Sequence, residues 1–157
     1  MSAPTRYPAP PEDAVSIELQ VPFHDVDVLE VAWHGHYAKY LELARTAWMR
    51  ARSLDAADMR ALGFRFFVTE YFLRHLAPLR YGDQVQVQAW PVEVQNRIRI
   101  AYRVQNRTTG RIAAQGWTVL VSTDAAGELF LQTPEPILAR LRAPGPGSAA
   151  QVDREAA

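Results

Sequence analysis

From Tyr37 onward the apolar residues Tyr37, Tyr40, Leu41, Ala44, Ala47, Trp48 and Ala51 recur at steps of three and four. At 3.6 residues per turn this spacing draws one stripe along a helix of about four and a half turns, running from about His36 to Arg52. Such a helix must bury its stripe on something, and the rest of the chain offers mainly strand-like partners. SIELQVPF (16–23) alternates, with Ile17, Leu19 and Val21 on one face, as a half-buried strand does. Beyond Gly63 the period changes. FFVTEYFLRHL, QVQVQAWPVEV, RIRIAYRVQN and RIAAQGWTVLVST are aromatic and β-branched, largely alternating, and divided by YGD, QN and NRTTG turn signals. These predict four successive antiparallel strands in a meander, with a bulge or an edge position at Pro91. Asp55 is placed to cap a short helical turn through Met59 that Gly63 ends. The order of elements implies an α+β fold in which a curved antiparallel sheet wraps one long central helix.

The 157 residues suit one domain, long enough to bury roughly two-thirds of the unfolded surface. The stretches 1–14 and 143–157 are rich in Pro, Ala and Gly and carry no hydrophobic period. Both read as flexible tails around a folded unit at 15–142. The 17 basic and 17 acidic side chains cancel, so no global field favours nucleic acid or an anionic membrane. With no cysteine, disulfides, thiolate metal sites and a thiol nucleophile are excluded together. No apolar run approaches the ~20 residues of a membrane helix, and the start lacks the pattern of a secretory signal. The cytoplasm is the expected location.

The chemistry concentrates in FHDVDVLEVAWHGHYAKYLELART (23–46), which gathers His24, Asp25, Asp27, His34 and His36. Asp27 follows a strand and lies in a loop rich in apolar residues, where partial burial would raise its pKa and make the ion a stronger base. Either aspartate can instead cap a turn. His34, Gly35 and His36 stand where the helix begins, and the first amides of a helix, unpaired and at the positive end of its dipole, can hold a developing oxyanion. Gly35 would let a substrate approach the backbone; alternatively HGH is a turn with exposed imidazoles. A carboxylate seven residues before those amides fits acyl transfer to water.

The string DVDVLEVAWHGHYAKYLELARTAW resembles the signature of the hotdog-fold acyl-CoA thioesterases of the 4-hydroxybenzoyl-CoA thioesterase type, with Asp25, Asp27, Val31, Trp33, His34, Tyr37, Glu42, Ala44 and Arg45 in register. LAPLRYGDQVQV is similar to the family's strand-turn segment at Pro78, Gly82 and Asp83, and the likeness covers roughly 16–135. The resemblance implies a hotdog fold and a thioester substrate carried by coenzyme A or an acyl carrier protein. It implies no metal and no other cofactor. Asp27 would act as nucleophile or general base. The His34 amide would polarise the thioester carbonyl, with the imidazole also implicated, and Tyr37 would order the loop and first helical turn. Trp33, Gly35 and Glu42 are supporting candidates, although Arg45, three residues beyond Glu42, suggests a structural ion pair.

In one respect the chain departs from the pattern. Glu30 stands where the family usually has glycine, so a positive φ there would cost about 1 kcal/mol. Residues that would bind the carrier's phosphates remain unassigned among Arg65, Arg74, Arg80, Arg97, Arg99, Arg103 and Arg107. Phe64, Phe66, Phe67 and Tyr71 are candidates for setting pocket width. Alternatives are a hotdog hydratase or dehydratase and a non-catalytic acyl-thioester-binding protein. A metal site is disfavoured because His34 and His36 do not have the i, i+4 spacing that sets two imidazoles on one helix face. An open sheet edge predicts a homodimer or homotetramer with the site between subunits.

Overall fold

The computed structural model describes residues 7–143; of the expected tails, 1–6 and 144–157 lie outside the described residues, whereas 7–14 are described and Tyr7 stacks on Phe72. Strands β1 (Val15–Gln20), β2 (Phe64–His75), β3 (Gln84–Glu93), β4 (Ile98–Asn106) and β5 (Ile112–Asp124) form one antiparallel sheet in the order β1-β3-β4-β5-β2. Among the described residues three α-helices complete the fold: α1 (Tyr37–Arg50), α2 (Ala56–Ala61) and α3 (Glu135–Arg142).

The stripe of α1 is buried as its spacing predicts, at Tyr37, Tyr40, Leu41, Ala44, Ala47 and Trp48; Ala51 lies just past the end of the helix and is half-buried. It shares one core with Ile17 of β1, Val85, Val87 and Ala89 of β3, Ile98, Ile100, Tyr102 and Val104 of β4, and Ala114 and Leu120 of β5. Alternation selects this face: Ile100 pairs with Thr118, Tyr102 with Gly116 and Val104 with Ala114, so every second residue enters the core. Two polar atoms admitted there meet each other, the Tyr102 hydroxyl and Thr118 Oγ1 lying 2.7 Å apart.

The meander is only partly realised. β3, β4 and β5 follow one another, but β2 pairs with β5 at the far edge, and β1 takes the place beside β3. Sequence periodicity states which residues share a face and is silent on which strand lies next. The link 76–83 must cross three strand spacings, about 14 Å, and an extended link of this length reaches about 26 Å. It is tied down on the way: the Leu79 carbonyl accepts from the Ala32 amide at 2.7 Å, and the Gly82 amide donates to the Val21 carbonyl at 3.0 Å.

Pro91 behaves as its missing N–H requires. The register of β3 on β4 shifts between Pro91 and Glu93, and β1 covers β3 only as far as Ala89, so no neighbour on that side needs the absent donor. Asp55 caps α2 through a capping box with Asp58, and Gly63 follows the helix at φ +82°. The α3 helix is missing from the sequence reading. It is short, and its prolines fall before it and in its first turn, where a missing N–H is tolerated.

β2 lies unusually close to β5 at Gly116. A Cβ there would collide with the Phe72 carbonyl oxygen and stand 2.9 Å from the Leu73 Cα, both backbone atoms that cannot rotate away. Gly116→Ala should destabilise the fold by about 1–3 kcal/mol through overpacking. A urea-unfolding midpoint equal to the wild type's would contradict this account of the strand pair.

Candidate active site

Between β1 and α1 the chain forms a small hairpin. The Val26–Ala32 bridge, the Asp27 amide on the Val31 carbonyl (3.0 Å) and the Trp33 amide on the Asp25 carbonyl (2.9 Å) join its two arms. Asp27 starts the tip. Its carbonyl accepts from the Glu30 amide at 3.0 Å and its Oδ1 from the Leu29 amide at 2.8 Å, so the turn-capping alternative is realised on one oxygen. Asp27 is half-buried, whereas Val28, 97% exposed, and Leu29 project from the tip.

Glu30 has φ 63°. The conformation that glycine would satisfy is therefore present, and the glutamate occupies the left-handed region at a cost of roughly 1 kcal/mol.

The second arm leads into a 3-10 turn over His34–His36 that runs directly into α1. The His36 amide bonds the Trp33 carbonyl and the Tyr37 amide bonds the His34 carbonyl. The His34 and Gly35 amides open this turn, where no carbonyl within the turn can reach them. On the side where a Cβ would stand, the space beside Gly35 is filled by the Trp33 ring. A Cβ there would fall within the Trp33 indole, 2.7 Å from Cε3, so glycine is required for the ring to fold over the turn. Trp33 also lies against His34 (centroids 5.1 Å apart) and edge-on to His36 (5.4 Å).

Tyr37 is buried, with its ring edge-on to His75 at 4.5 Å. Burial pushes its hydroxyl up to about 12, against the opposing effect of the Leu79 backbone amide beside it. Leu79 thus bonds the loop through Ala32 and lies beside Tyr37 at the start of α1. His75, at the end of β2, is held below the ordinary histidine value by burial and by the nearby His34. Sequence reasoning missed it because the β2–β5 pairing alone brings it here. Glu42 stands apart: it is 70% exposed and paired at 4.0 Å with Arg45 three residues on, the structural role its spacing suggested.

The buried carboxylate of the cluster is Asp25, 1% exposed. Lys39 Nζ donates to Oδ1 at 2.7 Å and Oδ2 at 2.8 Å, and the Tyr40 hydroxyl donates to Oδ2 at 2.5 Å. His24 Nε2 and His36 Nδ1 lie 3.7 and 3.8 Å from Oδ1. Burial alone would raise the Asp25 carboxyl, but the bonds from Lys39 and Tyr40, with the charges of Lys39 and His36, outweigh it and hold the pKa below the ordinary aspartate value. The Tyr40 hydroxyl moves far upward, from burial and from donating to a carboxylate. Neither Lys39 nor Tyr40 was a sequence-level candidate for this role.

Of the arginines considered for phosphate contacts, Arg97 pairs with Glu93 and Glu70, and Arg99 lies over the Trp117 ring at 4.3 Å. The register shift between Val68 and Glu70 puts Phe66 and Tyr71 on the core side of β2 and turns Phe67 outward. Among the described residues no helix is long and apolar enough to cross a membrane.

A family model described as the thioesterase-like superfamily matches residues 21–141. A protein of Synechocystis sp., provisionally named an esterase, is 31% identical over 121 residues, covering 75% of this chain and 72% of that one. Among solved structures, a 1,4-dihydroxy-2-naphthoyl-CoA thioesterase from Synechocystis is similar with TM-score 0.70 and 17% identity, over 82% of this chain and 95% of that chain. A hypothetical protein from Staphylococcus aureus, solved in complex with CoA, gives TM-score 0.74 and 13% identity over 82% and 81%. These two structures bear on the fold alone.

Two outcomes follow from the geometry. Because the folded-state pKa of Asp25 lies below the 3.8 of an unperturbed aspartate, the unfolded chain takes up the proton first as pH falls. The stabilisation is complete above about pH 4 and is lost as pH drops through the folded value. The stability gap between wild type and Asp25→Asn should therefore narrow as urea unfolding is followed from near neutral pH into the acid range; a gap independent of pH would refute it. Glu30→Gly should stabilise the fold by up to about 1 kcal/mol, relief of strain being offset in part by unfolded-state entropy, whereas Glu30→Val should lower the thermal midpoint.

Proposed function

The chain belongs to the thioesterase-like superfamily, and from that premise we propose that it hydrolyses acyl-coenzyme A thioesters, with Asp27 and the amides of the His34–His36 turn as the reacting apparatus. One observation carries this reading. The hairpin begun by Asp25 and Asp27 delivers its second arm without interruption into the turn whose first amides lack an internal partner. A carboxylate and a pair of donors are thus built into one short, hydrogen-bonded unit.

In the proposed reaction the thioester carbonyl accepts from the His34 and Gly35 amides, which stabilise the oxygen as it becomes negative. Asp27 either takes a proton from the attacking water or attacks the carbonyl carbon itself. The carbon–sulfur bond then breaks and the thiolate leaves with the carrier and takes up a proton; where water attacked, the carboxylic acid is released directly, and where Asp27 attacked, water hydrolyses the acyl–Asp27 anhydride to release the acid and restore the carboxylate. Hydrogen bonding to the Leu29 amide fixes the orientation of Asp27 without occupying its second oxygen. Trp33 supplies an aromatic wall over the turn, with the His34 and His75 imidazoles beside it. The acyl group would lie toward Phe66 and Tyr71 on the core side of β2.

Carrier-protein thioesters are a second substrate class within this proposal, as is the 4-hydroxybenzoyl-CoA subtype. The exposed tip of Val28 and Leu29, together with Phe23 and Tyr81 packed edge-on at 5.6 Å, would be covered by a second copy in a homodimer or homotetramer.

Purified protein should be screened for hydrolysis of short, long and aromatic acyl-CoAs and of acyl-carrier-protein thioesters. At least one acyl-CoA should be turned over, and Asp27→Asn should lower kcat about 10²–10⁴-fold. Binding without turnover would support an acyl-binding protein, and crotonyl-CoA hydration would support a hydratase. A near-normal rate in Asp27→Asn removes the assigned role.

A further inference from the structure

Asp25 grips the first turn of α1 at two adjacent residues, and we propose that the Asp25–Lys39–Tyr40 bonds are a positioning device that fixes the reactive hairpin against that turn. The inference rests on the reading of Asp27 and the turn amides as the reacting groups, and it adds residues that touch neither substrate nor reacting atoms.

Residue 25 is bonded in three directions. Its side chain reaches Lys39 Nζ at 2.7 and 2.8 Å and the Tyr40 hydroxyl at 2.5 Å. Its amide donates to the Pro22 carbonyl at 3.1 Å, which closes the turn after β1, and its carbonyl accepts from the Trp33 amide at 2.9 Å, which holds the arm entering the 3-10 turn. Val26 is extended, with φ −90° and ψ 135°, so residues 25 and 27 project to the same side of the arm. A displacement of Asp25 from α1 is therefore carried to Asp27 two residues along one arm and to His34 one residue beyond the other. Since the reacting distance tolerates little error, a shift near 1 Å would cost about 100-fold in rate.

Lys39 and Tyr40 divide the work. The Tyr40 ring is in the core, so its hydroxyl is an immobile donor. Lys39 is 47% exposed and supplies charge from the solvent edge. Without it the Asp25 carboxylate keeps Tyr40 and has His24 and His36 within 4 Å, so the fold should survive while the grip on the helix weakens.

The test uses the full chain and the acyl-CoA found by the hydrolysis screen. Lys39→Met should lower kcat about 10–100-fold with KM changed less than about threefold, and hydrogen exchange of the Asp27, Ala32 and Trp33 amides should accelerate. Lys39→Arg should recover most of kcat. The double variant Asp25→Asn/Lys39→Met, which leaves no uncompensated charge, should unfold near the wild-type midpoint yet remain slow. Wild-type kcat and exchange in Lys39→Met would overturn the proposal, as would a double variant that regains rate together with stability. If the wild type hydrolyses no thioester, the proposed function fails by itself, and amide exchange still decides whether the pair fixes the hairpin.

Discussion

The burial of one stripe of α1 on the sheet fixes everything around it. Full burial of Tyr40, Leu41 and Trp48 contributes roughly 5–9 kcal/mol together, more than any local preference of the loop before the helix can oppose. The N-terminus of α1 is thereby held in one place and orientation, and the 3-10 turn preceding it inherits that placement. Tyr40 extends the constraint outward: its ring belongs to the core and its hydroxyl to Asp25. The rigid interior and the polar cluster at the helix mouth share one side chain, so strain or loosening in one is felt in the other.

The two aspartates of the cluster have been given different surroundings. Asp25 is shut away from solvent, and its oxygens are occupied by an ammonium and a phenol; it has little capacity left to exchange a proton with a substrate. Asp27, two residues on, accepts a single amide on one oxygen at a half-buried tip. Separation of roles by environment is the usual way in which two similar acids divide anchoring from chemistry. With equal numbers of acidic and basic side chains overall, the local arrangement rather than a global field decides the electrostatics here.

Much of this was legible in the sequence wherever a period or a backbone rule forced it. The helix stripe announces itself at 3.6 residues per turn, the strand faces at two, and the bulge after Pro91 follows from a missing donor. The positive φ at Glu30 matches what the resemblance implied, a position suited to glycine. What remained illegible depends on contacts distant in sequence. No local pattern states that β2 skips past β3 to pair with β5, and that pairing alone brings His75 to Tyr37. Nor could the sequence tell which aspartate is buried, because the decision lies with Lys39 and Tyr40, fourteen and fifteen residues away.

The tip of the hairpin shows which interaction governs the loop. Left-handed backbone at Glu30 costs roughly 1 kcal/mol, and nothing in its side chain offsets that. Three bonds do: the Asp27 amide to Val31, the Glu30 amide to the Asp27 carbonyl, and the Leu29 amide to the Asp27 carboxylate. At about 0.5–1.5 kcal/mol each they outweigh the strain, and all three involve residue 27. The conformation of the tip is therefore dictated by Asp27, and residue 30 accommodates it. A glycine would fit the same path more comfortably, but the path itself would persist, because two of the bonds that define it are made by the main chain of residue 27 and the third by its carboxylate.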